Sequence, residues 1–265
     1  MSPIYSAHMR FKKFLLWVIP LCMAYSLPVA AKDMTLSTGI DYSSGTYGAT
    51  QSTDIIYLPI TVKYEKPSWS LKLTLPYIKM TSPDNTINSG TPVQTASTVS
   101  LVRQTFSGQG DIIVTGTHNL HHDLAHGFAI DLTGKIKIPT ADATQGLGTG
   151  KYDYSAQLDL LKQSGRHMLF SSVGYRKMGD PDGLDFKNPW YGSIGWGHTA
   201  SNTIQWGGIY ELQQPVIDGN ALLKDVLAYI TYKITATHTV QGYLVKGLSD
   251  GSPDWGSGIS VSTSF

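Results

Sequence analysis

Charge and cysteine are what this sequence has least of. Charged residues make up 15% of the chain, against roughly 25% in ordinary soluble domains. Basic and acidic residues nearly cancel, so there is no basic excess of the kind that grips nucleic acid. The one cysteine, Cys22, falls in the leader described below, and the remainder can hold no disulfide. Beyond that leader no stretch reaches 18 consecutive apolar residues, which excludes a further helical membrane span. The space is taken by 27 glycines, 15 tyrosines and abundant Ser and Thr. That composition suits many short strands and turns, and the length suits a single all-β unit.

The amino-terminal stretch "MRFKKFLLWVIPLCMAYSLPVAAKD" places Arg10, Lys12 and Lys13 before an apolar run that ends in Ala30 and Ala31. This is the order of a secretory signal peptide, with cleavage expected after Ala31 and the mature chain spanning 32–265. The eight residues before Met9 fit no part of that pattern, which makes Met9 a second candidate for the start. Pro20 and Pro28 break the run and argue against a membrane anchor. Residues 19–21 lack the small side chain that a lipoprotein signal needs before Cys22. Cleavage leaves seventeen basic residues against nineteen acidic ones, a net charge near −2.

Past the leader, runs of about ten residues alternate with period 2 and close on turn residues. In "GFAIDLTGKIKIP", Phe128, Ile130, Leu132, Ile136 and Ile138 share one face, and Asp131, Lys135 and Lys137 share the other. Twelve such strands are expected, near 34–44, 54–65, 68–80, 111–120, 127–139, 152–163, 167–178, 190–200, 202–214, 222–235, 239–249 and 255–265. The fourth, seventh and eleventh have ambiguous phase. Pro59 and Pro76 lie inside strands, so bulges or local edges are expected there. Short and long connections alternate, and 81–110 reads as an insertion loop. Short turns at one end and long loops at the other describe a closed antiparallel transmembrane β-barrel of about twelve strands in the bacterial outer membrane.

Parity then assigns faces. The last strand, "WGSGISVSTSF", puts Trp255, Ile259, Val261 and Phe265 on one side and Gly and Ser on the other. Aromatic girdles are expected from Trp69, Tyr77, Trp190, Trp206, Tyr210, Trp255 and Phe265, with Tyr57 and Tyr64 near them. Lumen-lining candidates are Lys63, Glu65, Lys72, Asp131, Lys135, Lys137, Asp159, Glu211, Asp225 and Lys233. A Lys or Arg facing lipid at mid-depth costs about 2–4 kcal/mol, which gives the assignment its energetic basis. The near-equal signs argue against strong ion selectivity. Either these charges pair across the lumen and plug it, or they line a narrow wet path.

The terminal Phe265 resembles the signal by which bacterial outer-membrane proteins are recognised by the barrel assembly machinery. More narrowly, "GQGDIIVTGTHNL", "KIKIPTADATQGLGTGKYDY" and "LFSSVGYRKMGDPDG" resemble the outer-membrane "MetA-pathway of phenol degradation" proteins, also called transporters. The likeness covers 108–183, with Ala141 where that family usually has Gly. It implies a barrel and the uptake of small, often aromatic, solutes.

Other chemistry is weaker. His118, His121, His122 and His126 invite a metal, but their spacing matches no compact zinc pattern and lies across a turn, so a solvated turn is the better reading. No G-x-S-x-G elbow exists, and the serines have no neighbouring His and carboxylate, so no catalytic residue and no cofactor is expected. The glycine run at 146–150 lacks phosphate-loop spacing and precedes a strand; it is a loop with freedom to move. Asp180, Asp185, Asp250 and Asp254 suit tight turns more than calcium. The expected partners are outer-membrane lipids and a small-molecule solute. A non-conducting, surface-binding barrel, an outer-membrane lipid hydrolase and a soluble periplasmic β-sandwich are the rivals. Amino-terminal sequencing of the exported protein should begin at Lys32; an intact leader would overturn the cleavage assignment.

Overall fold

The computed structural model describes residues 33–82, 86–88, 91–93, 103–123, 125–181 and 183–265. The leader and much of the 81–110 segment lie outside these residues. Fifteen strands follow in chain order. They are β1 (Met34–Gly45), β2 (Thr53–Lys66), β3 (Trp69–Ser82), β4 (Thr86–Asn88), β5 (Thr91–Val93), β6 (Gln104–Gln109), β7 (Ile112–Asp123) and β8 (Phe128–Ile138). Then come β9 (Asp153–Ser164), β10 (His167–Lys177), β11 (Trp190–Thr199), β12 (Ile204–Gln213), β13 (Leu223–Lys233), β14 (His238–Gly247) and β15 (Trp255–Ser264). Among the described residues there is one 3₁₀ turn, Ala143–Gln145, and no α-helix.

Twelve of these strands form a closed antiparallel barrel in which each pairs with its neighbours in the chain, counting β3 and β7 as neighbours. Closure is made by β15 on β1, from Thr35 opposite Ser264 to Ser44 opposite Trp255. It leaves no free sheet edge around the ring, the condition for a sheet to sit in a medium that offers no hydrogen bonds. The expected short turns all lie at one end, together with Met34 and Phe265; the long connections lie at the other.

The 81–110 segment is more than a loop. Residues of β6 continue the ladder on β3, from Tyr77 opposite Gln109 to Ser82 opposite Gln104, and β4 with β5 forms a small hairpin of its own. β6 and β7 thus follow one line along β3, interrupted where the register changes by one at Gly110 and Asp111. That break sits against Pro76, whose carbonyl still accepts from Gly110 N at 2.8 Å. Pro59 and Pro76 are themselves cross-strand partners, so two residues without a backbone N–H are spent on one pair. A second irregularity in β7, between Asn119 and His121, leaves Leu120 unpaired.

Parity is inverted relative to a soluble domain. Leu36, Ile60, Leu71, Leu132, Ile136, Val173, Ile194, Ile230 and Ile259 are exposed on the outer surface. The opposite parity holds hydroxyls that pair between strands, such as Thr61 with Thr74, Thr117 with Thr133 and Ser172 with Ser193. Inner aromatic rings lie flat over glycines of adjacent strands: a Cβ at Gly195 would overlap Phe170, and one at Gly258 would overlap Tyr243. Ile136→Arg, on the outer face, should cost about 2–4 kcal/mol in equilibrium folding into lipid vesicles. A cost near zero would mean that this face does not meet hydrocarbon.

Candidate functional site

At the long-loop end, three stretches of sequence meet around one buried cation. Lys137 Nζ lies 2.9 Å from Asp111 Oδ2 and 3.4 Å from Asp153 Oδ2, and it donates to Thr149 Oγ1 at 2.8 Å. The Lys137 side chain is 1% exposed. Both carboxylates also accept from backbone: Ala141 N donates to Asp111 Oδ1 and Gly179 N to Asp153 Oδ1, each at 3.0 Å. Thr140 Oγ1 donates to Gly110 O and accepts from Ile112 N, both at 3.0 Å. The 139–152 connection is thereby tied to β8 through Lys137 and to the Gly110–Ile112 stretch where β7 begins. Gly148 has room for no side chain, since a Cβ there would come within 2.9 Å of Asp111 Oδ1. Within this connection Asp142 caps the 3₁₀ turn, and hydrogen bonds from Thr144 and Gln145 hold its carboxyl below the usual range.

The glycine run 146–150, expected as a free loop, is packed. Leu147 is 1% exposed and sits with Ile55, Tyr57, Ile78, Met80 and Ala141 in an apolar cluster at the mouth. Tyr47 joins the same cluster from the β1–β2 connection, with φ at +48°. A non-glycine residue in that region costs on the order of 1 kcal/mol and persists only where its surroundings fix it. Burial first, then the charges of Asp225 and Asp254, push its phenol well above the ordinary value. Tyr57, expected near the outer girdle, is therefore corrected: it has the parity opposite Leu58 and Ile60 and is buried inside.

Further down, register arranges the inner charges in two rungs. One runs Lys63, Lys72, Thr115, Lys135, Ser155, Arg176 across β2, β3 and β7–β10, each residue opposite the next. The other runs Asn119, Asp131, Asp159, Ser172, Ser193, Glu211, Asp225 across β7–β13. Where a strand carries both, they are four residues apart, roughly 13 Å along it. Three like-charged pairs thus face each other directly, Lys63–Lys72, Asp131–Asp159 and Glu211–Asp225, and such pairs are destabilising. Neutral donors relieve Asp131 and Asp159, whereas Glu211 keeps a buried oxygen that no donor reaches among the described residues. Asn119 donates to Asp131 at 2.7 Å, Thr133 to Asp159 at 2.9 Å, and Gln157 also donates to Asp159.

Of the ten residues read as lumen candidates, Lys135, Lys137, Asp159, Glu211 and Asp225 are buried. Lys63, Lys72, Asp131 and Lys233 are half-buried, and Glu65 is exposed near the short-turn end, paired with Lys63 at 2.7 Å. Asp41, Asp111, Asp153 and Arg176 belong with them and were missed. Arg176 lies in a strand of ambiguous phase, where it stands 5.5 Å from the Tyr191 ring. Asp111 precedes the alternation of its strand. Asp41, which accepts from Tyr243 Oη at 2.5 Å, was readable from the parity of Leu36 and Ile40.

Aromatic contacts collect at both ends of the outer surface. Tyr42 meets Trp255 at 5.0 Å and Tyr175 meets Trp190 at 5.2 Å near the long loops. Tyr64 meets Trp69 at 5.6 Å and Trp196 meets Trp206 at 5.2 Å near the short turns. Tyr77 and Phe265 are exposed on this surface and Tyr210 half-exposed. The histidine group is dispersed: His126 pairs with Asp123 at 2.7 Å and His121 lies against Phe128. No group of three metal-ligating side chains converges among the described residues. Asp180 accepts from Phe186 N at 2.9 Å within its own connection, and Asp254 accepts from Thr46 N at 3.1 Å, joining the β14–β15 and β1–β2 connections.

Solved structures share this architecture at low identity. The COG4313 outer membrane channel from Pseudomonas putida F1 matches with a TM-score of 0.69 at 14% identity, over 91% of this chain and 97% of that one. The NanC porin matches at 0.54 and 12%, over 87% and 100%. The KdgM porin in complex with disordered oligogalacturonate matches at 0.54 and 7%, over 87% and 99%. These neighbours are outer-membrane channel and porin barrels. No curated protein sequence matches the chain. Lys137→Ala would leave two buried carboxylates without their cation, so stability should fall by about 3–5 kcal/mol. Limited proteolysis should then cut within 139–152, which stays protected in the parent protein; continued protection would overturn the anchoring role of Lys137. A family model matches residues 95–234, more than half of the sequence and the stretch that carries the buried Lys137 site, and the chain belongs to that family, "Protein of unknown function (DUF3187)".

Proposed function

We propose that this chain is a channel in the outer membrane of a Gram-negative bacterium, exported by its leader, for passive passage of small solutes, aromatic or hydrophobic ones among them. The observation that carries this is the inverted parity of a closed barrel: aliphatic side chains outside, charges and hydroxyls inside. A protein interior would have to cover the outer belt in a soluble molecule, and none is present among the described residues to do so. The aromatic contacts at the two ends suit the two lipid interfaces. Lys63, Glu65, Lys72, Asp131, Lys135, Lys137, Asp159, Glu211, Asp225 and Lys233 are proposed to line or narrow the path. Half-buried rings on the inner wall, Tyr191 and Tyr243, offer faces to an aromatic solute. Kinship with the "MetA-pathway of phenol degradation" proteins is proposed on the motifs that converge on Lys137.

A second reading, a non-conducting barrel, draws on two observations. Tyr47 and Leu147 fold into the mouth, and an inner cluster of Leu161, Met168, Phe170, Ile209, Leu227 and Tyr229 fills part of the interior. Planar-bilayer recording separates the two. Stepwise conductance from the purified full-length barrel is the expected result; silence from folded protein would favour the plugged form. Swelling of liposomes in a series of neutral aromatic solutes then ranks the solutes that pass.

A further inference from the structure

The total of inner charges hides how they are sorted. Along the cationic rung, Lys63 has a partner in Glu65 and Arg176 stands over Tyr191. Lys135 has Asp159 and Glu211 in its electrostatic surroundings. Lys72 differs from all of these. It is half-buried on the inner wall, its cross-strand partner is Lys63, and Lys135 lies two strands on in the same rung. No hydrogen bond or ion pair reaches its ammonium group among the described residues, and its electrostatic neighbours are the two other lysines. Like charges set side by side are destabilising, and an anion entering the lumen would relieve the repulsion along this rung. Asp131 and Asp159 do not fill that place. They lie four residues along the strands on another rung, where Asn119, Thr133 and Gln157 donate to them, and Glu211 and Asp225 stand on β12 and β13.

What lies above Lys72 narrows the anion. On the same two strands, going toward the long loops, come the Thr61–Thr74 hydroxyl pair and then Tyr57 with Ile78. The wall therefore offers charge and then hydroxyls, below an apolar cluster whose members are already packed against one another. We propose that Lys72, flanked by Lys63 and Lys135, is a binding site for the carboxylate of a small organic acid, with the Thr61–Thr74 hydroxyl pair beside it. This deepens the channel reading and rests on it for the role of the site in transit.

Binding and conduction are tested separately so that each idea can fail alone. The folded full-length barrel in detergent is titrated calorimetrically with benzoate and with its neutral counterpart benzamide. Benzoate should bind, with benzamide about tenfold weaker or more, the difference one charge-assisted contact makes. Lys72→Gln should weaken benzoate about tenfold and leave benzamide unchanged; Lys72→Arg should keep most of the affinity. Lys177→Gln, an exposed outer lysine, should change nothing. Where Lys72→Gln does not fold, Lys63→Gln reads the same rung and should weaken benzoate several-fold. Equal affinity for the two probes, or benzoate binding indifferent to Lys72 and Lys63, would overturn the site. In bilayers under a salt gradient the reversal potential should favour anions and shift toward zero in Lys72→Gln. Absence of conductance with benzoate binding intact would remove the channel and keep the site.

Discussion

Hydrocarbon accepts no hydrogen bonds, and this one restriction orders the rest of the molecule. Each backbone donor and acceptor at membrane depth must find its partner within the sheet, at a cost of several kcal/mol for each failure. Twelve strands closed by β15 on β1 meet the condition. The two prolines that would break it, Pro59 and Pro76, are set opposite each other, so the missing donors fall at one point of the wall. The same point carries the Gly110 and Asp111 break between β6 and β7. The loop anchor is built at this irregular point of the wall.

That anchor accounts for motifs which look unrelated in one dimension. Gly110 and Asp111, the Lys137 and Thr140 pair, Gly148 and Asp153 come from separate stretches. Together they surround one ammonium group and the backbone of one connection. A buried ion pair is weak evidence for net stability, since desolvation offsets much of the attraction. Here its geometric effect is clear: four donors and acceptors fix where the 139–152 segment enters the mouth. Tyr47 and Leu147 then meet in the apolar cluster, which joins the β1–β2 and β8–β9 connections.

Inside, strand register has a chemical consequence that parity alone lacks. Parity decides which side a residue faces; register decides whom it faces. Because the pairing aligns Lys63 with Lys72 and Glu211 with Asp225, charges of one sign accumulate along a rung. Neutral amides and a hydroxyl donate to Asp131 and Asp159 on the acidic rung, while on the cationic rung Lys72 has only lysines as its electrostatic neighbours among the described residues. A lumen with nearly balanced totals thereby acquires a local field of one sign.

Much of the architecture was legible along the chain. In a barrel wall every strand separates lipid from lumen by itself, so period-2 alternation appears in each strand without reference to any partner. All twelve barrel strands were found within a few residues of their ends. Leu132 and Ile136 against Lys135 and Lys137 illustrate how plain that signal is. The exceptions have local causes: Arg176 sits in a strand of ambiguous phase, and β6 lay unseen in what read as a loop. Tyr57 was placed by its position along a strand when its parity pointed inward. The sequence by itself thus determined the strands, the faces and the closed barrel. Only the tertiary structure decided the register that lines up Lys63, Lys72 and Lys135, and the meeting of Asp111 with Lys137 and Asp153. Those depend on pairing between segments far apart in the chain, and no periodicity within one segment encodes its alignment with another.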